Sequence, residues 1–66
     1  MNEQEVTELL LRAILDQKDG GIRRVMIKIL RTSMSESRIR DGIEALEQKG
    51  VQVAGLRTLL CINRLH

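Results

Sequence analysis

No phenylalanine, tyrosine or tryptophan occurs in these 66 residues, and cysteine and histidine occur once each. The missing rings exclude single-strand platforms and RNA-recognition sheets, which stack bases on aromatic side chains. Cys61 alone cannot close an internal disulfide, and no Cys/His cluster has the spacing of a zinc site. Within its apolar surroundings it reads as a core residue and not as a reactive thiol. The only histidine is His66, and the chain has neither a nucleophile–base pair nor a glycine-rich phosphate loop. No enzymatic activity, no metal and no small-molecule cofactor are therefore expected. No apolar run approaches the roughly 20 residues that cross a bilayer. The opening MNEQEVTELL is polar and acidic, unlike a secretory signal. With the lone cysteine, this leads to the expectation of reducing, cytoplasmic surroundings and no membrane.

What remains is a short, aliphatic, charged chain. It has no low-complexity segment and no internal repeat, so one domain is expected over residues 1–66. A chain of this length buries only about 60% of the surface its unfolded form exposes. Without disulfide or metal it depends on a compact aliphatic core, with a partner chain as the other source of buried area. The net charge of +2 is unevenly spread. Residues 1–19 set Glu3, Glu5, Glu8, Asp16 and Asp19 against Arg12 and Lys18, a balance of −3. Residues 20–40 set Arg23, Arg24, Lys28, Arg31, Arg38 and Arg40 against Glu36, a balance of +5. Residues 41–66 balance to zero. A clustered basic third is the footprint of a polyanion partner, or else a solvated helix face.

The pattern predicts three helices. The first spans about 3–17, capped by Asn2, with Val6, Leu9, Leu10, Ala13 and Ile14 as its apolar stripe and Leu11 and Leu15 widening it. A helix this apolar packs on two sides, the second covered either by the C-terminal segment or by another copy of the chain. Lys18-Asp19-Gly20-Gly21 reads as the turn that ends it. Ile22 then starts either a bridging strand or the next helix. Over 23–31, Ile22, Val25, Met26, Ile29 and Leu30 are expected inward, Ile27 off that stripe, and Arg24, Lys28 and Arg31 outward on one face. The run VMIKIL also suits a strand, but the basic residues recur at helical spacing. The third helix, 36–49, has Ser35 as its cap, Met34 and Ile39 at staple spacing, and Gly50 just past its end. Ile39, Ile43 and Leu46 share one face with Gly42 beside them. Ser33, Ser35 and Ser37 read as caps and turn bonds, not as phosphorylation sites. After Gly50, Val51-Gln52-Val53 alternates and Thr58–Ile62 is β-prone, which predicts a hairpin around residues 54–57.

The order of helix, short extended piece, helix, tight turn, helix and hairpin resembles the winged helix-turn-helix family. The residues that carry the resemblance are Gly20-Gly21-Ile22, the 23–31 helix, the segment SMSESRIRDGIEALEQKGV and the hairpin to Ile62. It implies an α+β fold, a three-helix bundle with a C-terminal β-hairpin wing. It also implies double-stranded DNA as the partner, in transcription regulation or as an accessory module. The implied recognition helix is 36–49, reading the major groove through Ser37, Arg38 and Arg40. Arg24, Lys28 and Arg31 would then lie beside the phosphates, with Arg57 at the tip of a 51–62 wing. Asp41, Glu44 and Glu47 make the middle of that helix acidic. They favour the alternative of a protein-interaction domain, working as a homodimer or within a larger complex.

Overall fold

A computed structural model of the chain describes residues 2–60, which form four helices. These are α1 (Glu3–Asp16), α2 (Gly20–Ser33), α3 (Glu36–Gln48) and α4 (Ala54–Leu60). Three of them begin at a side chain that accepts a free first-turn N–H. Asn2 accepts from Glu5, Asp19 from Ile22 and Ser35 from Arg38. Gly50, at φ +88°, turns the chain out of α3 in the left-handed region that suits glycine.

The core is aliphatic throughout. Leu11 and Ile14 of α1, Ile27 and Leu30 of α2, and Ile39, Ile43 and Leu46 of α3 meet Val53, Leu56 and Leu60 at the C-terminal end. Helix α1 is the hub, packing on each of the other three helices and most extensively on α3. Its closest approach to α3 is at Gly42, where a Cβ would lie 2.7 Å from the Thr7 Cγ2 and 2.9 Å from the Leu11 Cδ1. Only a residue without a side chain lets the two backbones come this near. Met34 packs against the core, its sulfur 3.4 Å from the Thr7 hydroxyl. This places the end of α2 beside the start of α1, so the two helices run antiparallel.

The expected β-hairpin wing is absent from the described residues, and the α+β expectation is corrected to an all-helical fold. Residues 54–60 coil into α4, and Cys61 and Ile62 lie outside the described residues. The physical reason is periodicity. Val53, Leu56 and Leu60 stand at helical spacing and are all buried, so one face of a helix hides three aliphatic side chains at once. Ala54-Gly55 is also not one of the dipeptides that close a two-residue hairpin, and an isolated hairpin is marginal in water. The Arg57 N–H bonds to the Val53 carbonyl, and the Thr58 hydroxyl bonds back to Ala54. The hairpin wing that the winged-helix resemblance implied is therefore not part of residues 2–60.

Two smaller corrections follow. Gly20 and Gly21 are not the turn but the first turn of α2, because the Asp19 carboxylate caps that helix and favours its positive end. The inward stripe of α2 is also not the expected one. Ile27 and Leu30 are buried and Met26 is half-buried, while Ile22, Val25 and Ile29 are exposed.

Helix α1 holds one buried acid. Glu8 is 8% exposed and takes a hydrogen bond from Lys49 at 2.5 Å, with Gln4 at 3.3 Å. The Lys49 hydrogen bond holds its carboxyl below the ordinary 4.5, against the opposing effect of burial. A carboxyl whose folded pKa is depressed adds stability above its unfolded pKa and loses it as pH falls through the folded value. The thermal midpoint is therefore expected to drop as pH falls below about 4.5. Glu8→Gln should flatten that part of a Tm-against-pH curve. An unchanged acid limb in Glu8→Gln would contradict the pairing.

Candidate functional site

The residues expected to touch DNA do not assemble into one basic surface. Arg38 and Arg40 flank α3 on opposite sides, since two positions along a helix turn it by about 200°. Arg38 reaches Glu3 of α1 at 3.1 Å, and Arg40 pairs with Glu36 one turn back at 2.8 Å. Arg57 is at no wing tip; it lies on α4 and bonds Glu47 at 3.0 Å, its side chain 20% exposed. Arg31 donates to the Leu60 carbonyl at 3.1 Å and so ties α2 to the end of α4. Ser37 is exposed, its hydroxyl 3.3 Å from that of Ser35. Arg24 and Lys28 are exposed on α2 and make no ion pair among the described residues. The solvent side of α3 is formed by Ser37, Asp41, Glu44 and Gln48, all exposed. This face carries two acids, and Arg40, its side chain 43% exposed and paired with Glu36, stands at its edge.

The feature that stands out is apolar. Val6, Leu9 and Leu10 of α1 are 37, 51 and 41% exposed, and Ile22, Val25 and Ile29 of α2 are 51, 57 and 59% exposed. Ala13 is exposed as well. On α1, Val6, Leu9 and Ala13 lie on the side away from Leu11 and Ile14, with Leu10 at the border one turn from Ile14; on α2, Ile22, Val25 and Ile29 lie on the side away from Ile27 and Leu30. Leu10 and Ile29 of the two stripes line, with Ile14, Met26, Leu30 and Ser33, a groove of about 180 Å³ between the helices. Together the six exposures equal about three whole aliphatic side chains left in water. At about 1.5–3 kcal/mol for each fully buried side chain, roughly 4–9 kcal/mol of burial is open to a partner. Apolar exposure on this scale is uncommon on a small monomeric domain.

The sequence analysis found these residues but gave most of them to the core. The overlooked signal is that α1 and α2 each carry two apolar stripes. Leu11, Ile14 and Leu15 compete with Val6, Leu9, Leu10 and Ala13. Ile27, Leu30 and Met34 compete with Ile22, Val25 and Ile29. A domain of 66 residues has one small core, and only one stripe of each helix can enter it.

No group of three or more His, Cys, Asp or Glu residues is placed to hold a metal ion among the described residues. No helix among them is long and apolar enough to cross a membrane. Compared with protein families, curated proteins and solved structures, the chain matches none.

Proposed function

We propose that this chain is a protein-interaction domain that works through the apolar face shared by α1 and α2. The observation that carries this reading is the pairing of two uncovered aliphatic stripes, on adjacent antiparallel helices, around one groove. A duplex would need the opposite arrangement, with cations gathered and free. Here Arg38, Arg40 and Arg57 neutralise acids of the same chain, and Arg31 is spent on a helix end. Arg38, Arg57 and Arg31 thus tie one helix to another, and Arg40 pairs within α3. The chemistry offered to solution is aliphatic contact, the usual centre of a protein interface, with charges at its rim.

Site-specific photo-crosslinking in cells tests this. A photoreactive residue at Ile29 should give protein adducts, identified by mass spectrometry, whereas one at Glu44 on the solvent side of α3 should give none. Nucleic-acid adducts from Ser37 or Arg40, with no protein adduct from Ile29, would overturn the reading.

A further inference from the structure

We propose that the seam between α1 and α2 is an oxidation-sensitive device, opened when peroxide converts Met26 and Met34 to sulfoxides. Both methionines of the described residues lie on this seam. Met26 lines the groove between the helices together with Leu10 and Ile14. Met34 ends α2, and its sulfur stands 3.4 Å from the hydroxyl of Thr7 on α1. At the opposite end, beside the connection from α1 to α2, Arg23 donates to the Gln17 carbonyl at 3.1 Å. The seam is thus tied by polar contacts at its ends, with one thioether at an end and another between. It is also the less extensive contact. Helix α1 packs on α2 over a smaller area than on α3, and α2 buries only Ile27 and Leu30. The inference concerns the fold alone and is independent of what binds the α1–α2 face.

Two properties make these sulfurs reactive and their oxidation consequential. Both side chains are half-buried, so solvent reaches them. Each also lines a groove, of about 180 Å³ at Met26 and about 200 Å³ at Met34. Either is ample for a peroxide, when a water occupies about 30 Å³ of the liquid. In the reaction a sulfur lone pair attacks one oxygen of hydrogen peroxide and the O–O bond breaks. The sulfur gains that oxygen and is oxidised by two electrons, and the other oxygen leaves as water. A flexible apolar side chain becomes a polar, chiral one. At Met26 the new oxygen stands among Leu10, Ile14, Ile29 and Leu30, with the Ser33 side chain as the one polar lining group. At Met34 the larger group has no room toward Thr7. That residue is 1% exposed, its methyl lies against Gly42 and its hydroxyl bonds the Glu3 carbonyl. Each sulfoxide therefore favours parting of α2 from α1, and its reduction restores the seam.

Treatment of the full chain with hydrogen peroxide tests the proposal, with peptide mass spectrometry, thermal unfolding and amide hydrogen exchange read on the same samples. Sulfoxide is expected at both Met26 and Met34 while the protein is folded. The Tm should fall by about 10 °C, a shift that a modest loss of stability produces in a domain this small. Exchange should quicken more at the Ile27 and Leu30 amides of α2 than at those of Ile43 and Leu46 in α3. Methionine sulfoxide reductase should return both readouts to their starting values. Met26→Leu combined with Met34→Leu keeps volume and apolarity without an oxidisable sulfur, so this variant should fold and lose no stability in peroxide. Methionines that stay unoxidised in the folded protein would overturn the proposal. So would sulfoxides that leave the Tm and α2 exchange unchanged, or exchange that quickens equally in α2 and α3. A double leucine variant that loses as much stability in peroxide as wild type would overturn it too.

Discussion

Gly42→Val is expected to abolish the fold, and Gly42→Ala to weaken it by about 1–2 kcal/mol even though alanine favours helices. Helix propensity alone gives the opposite sign, since replacing an interior glycine by alanine gains close to 1 kcal/mol. The site decides otherwise. A Cβ at Gly42 would stand 2.7 Å from the Thr7 Cγ2 and 2.9 Å from the Leu11 Cδ1, inside van der Waals contact. Leu11 is an end methyl and can turn aside. Thr7 cannot, because a β-branched side chain has few rotamers and its hydroxyl donates to the Glu3 carbonyl at 2.9 Å. Relief must come from parting α1 and α3, the most extensive helix pair of the core. Overpacking of this kind costs about 1–3 kcal/mol per inserted group, more than the propensity gain. Valine adds two further methyls. The whole domain is worth only about 3–10 kcal/mol at the usual stability per residue. Urea denaturation checks the single changes, and Thr7→Ser combined with Gly42→Ala checks the cause. Serine keeps the hydroxyl and removes the offending methyl, so the double variant should recover most of the loss. A Gly42→Ala protein more stable than wild type would contradict the close approach of α1 and α3.

Leu56→Ala is expected to cost about 2–5 kcal/mol, the range for emptying a fully buried leucine site. Leu56 is 0% exposed, on the face of α4 that also buries Leu60 and follows Val53 into the core. The loss is comparable to the total stability of so small a domain. Thermal unfolding followed by circular dichroism should show a largely unfolded protein or a sharply lowered Tm. The outcome separates two descriptions of the C-terminal segment. In a hairpin, residues 54–57 are the exposed turn, and a leucine there is replaceable within about 0.5 kcal/mol. In α4, the same residue is a central core position. A mild Leu56→Ala phenotype would therefore restore the hairpin and remove α4.

Local signals in this chain were legible where chemistry is unambiguous. Asn2 and Ser35 cap the helices they were expected to cap, and Gly50 takes the positive φ expected after α3. Ile39, Ile43 and Leu46 are buried together, with Gly42 against α1. The misreadings arose where two local rules compete. Asp19-Gly20-Gly21 carries both a turn signal and a cap signal, and the cap prevailed. Thr58 to Leu60 belong to a β-prone run, yet Val53, Leu56 and Leu60 recur at helical spacing, and burial of that face prevailed. For α2, both stripes were apolar, and which one faces inward is a tertiary fact: Ile27 and Leu30 enter the core and Ile22, Val25 and Ile29 stay exposed. The basic residues show a related limit. Their number and spacing are visible in the chain, and so is the i,i+4 pair Glu36–Arg40, but the partners Glu3 and Glu47 of Arg38 and Arg57 are set by packing.

The central claim is that the α1–α2 face is the working surface of this protein and the outer side of α3 is not. Methyl NMR with a soluble paramagnetic agent measures directly the exposure on which this rests. The expected result is strong relaxation of the Leu9, Leu10, Val25 and Ile29 methyls in dilute protein, against weak relaxation of the buried Leu11, Ile27 and Leu56 methyls. Methyls of Leu9, Leu10, Val25 and Ile29 that stay protected when dilute would contradict it.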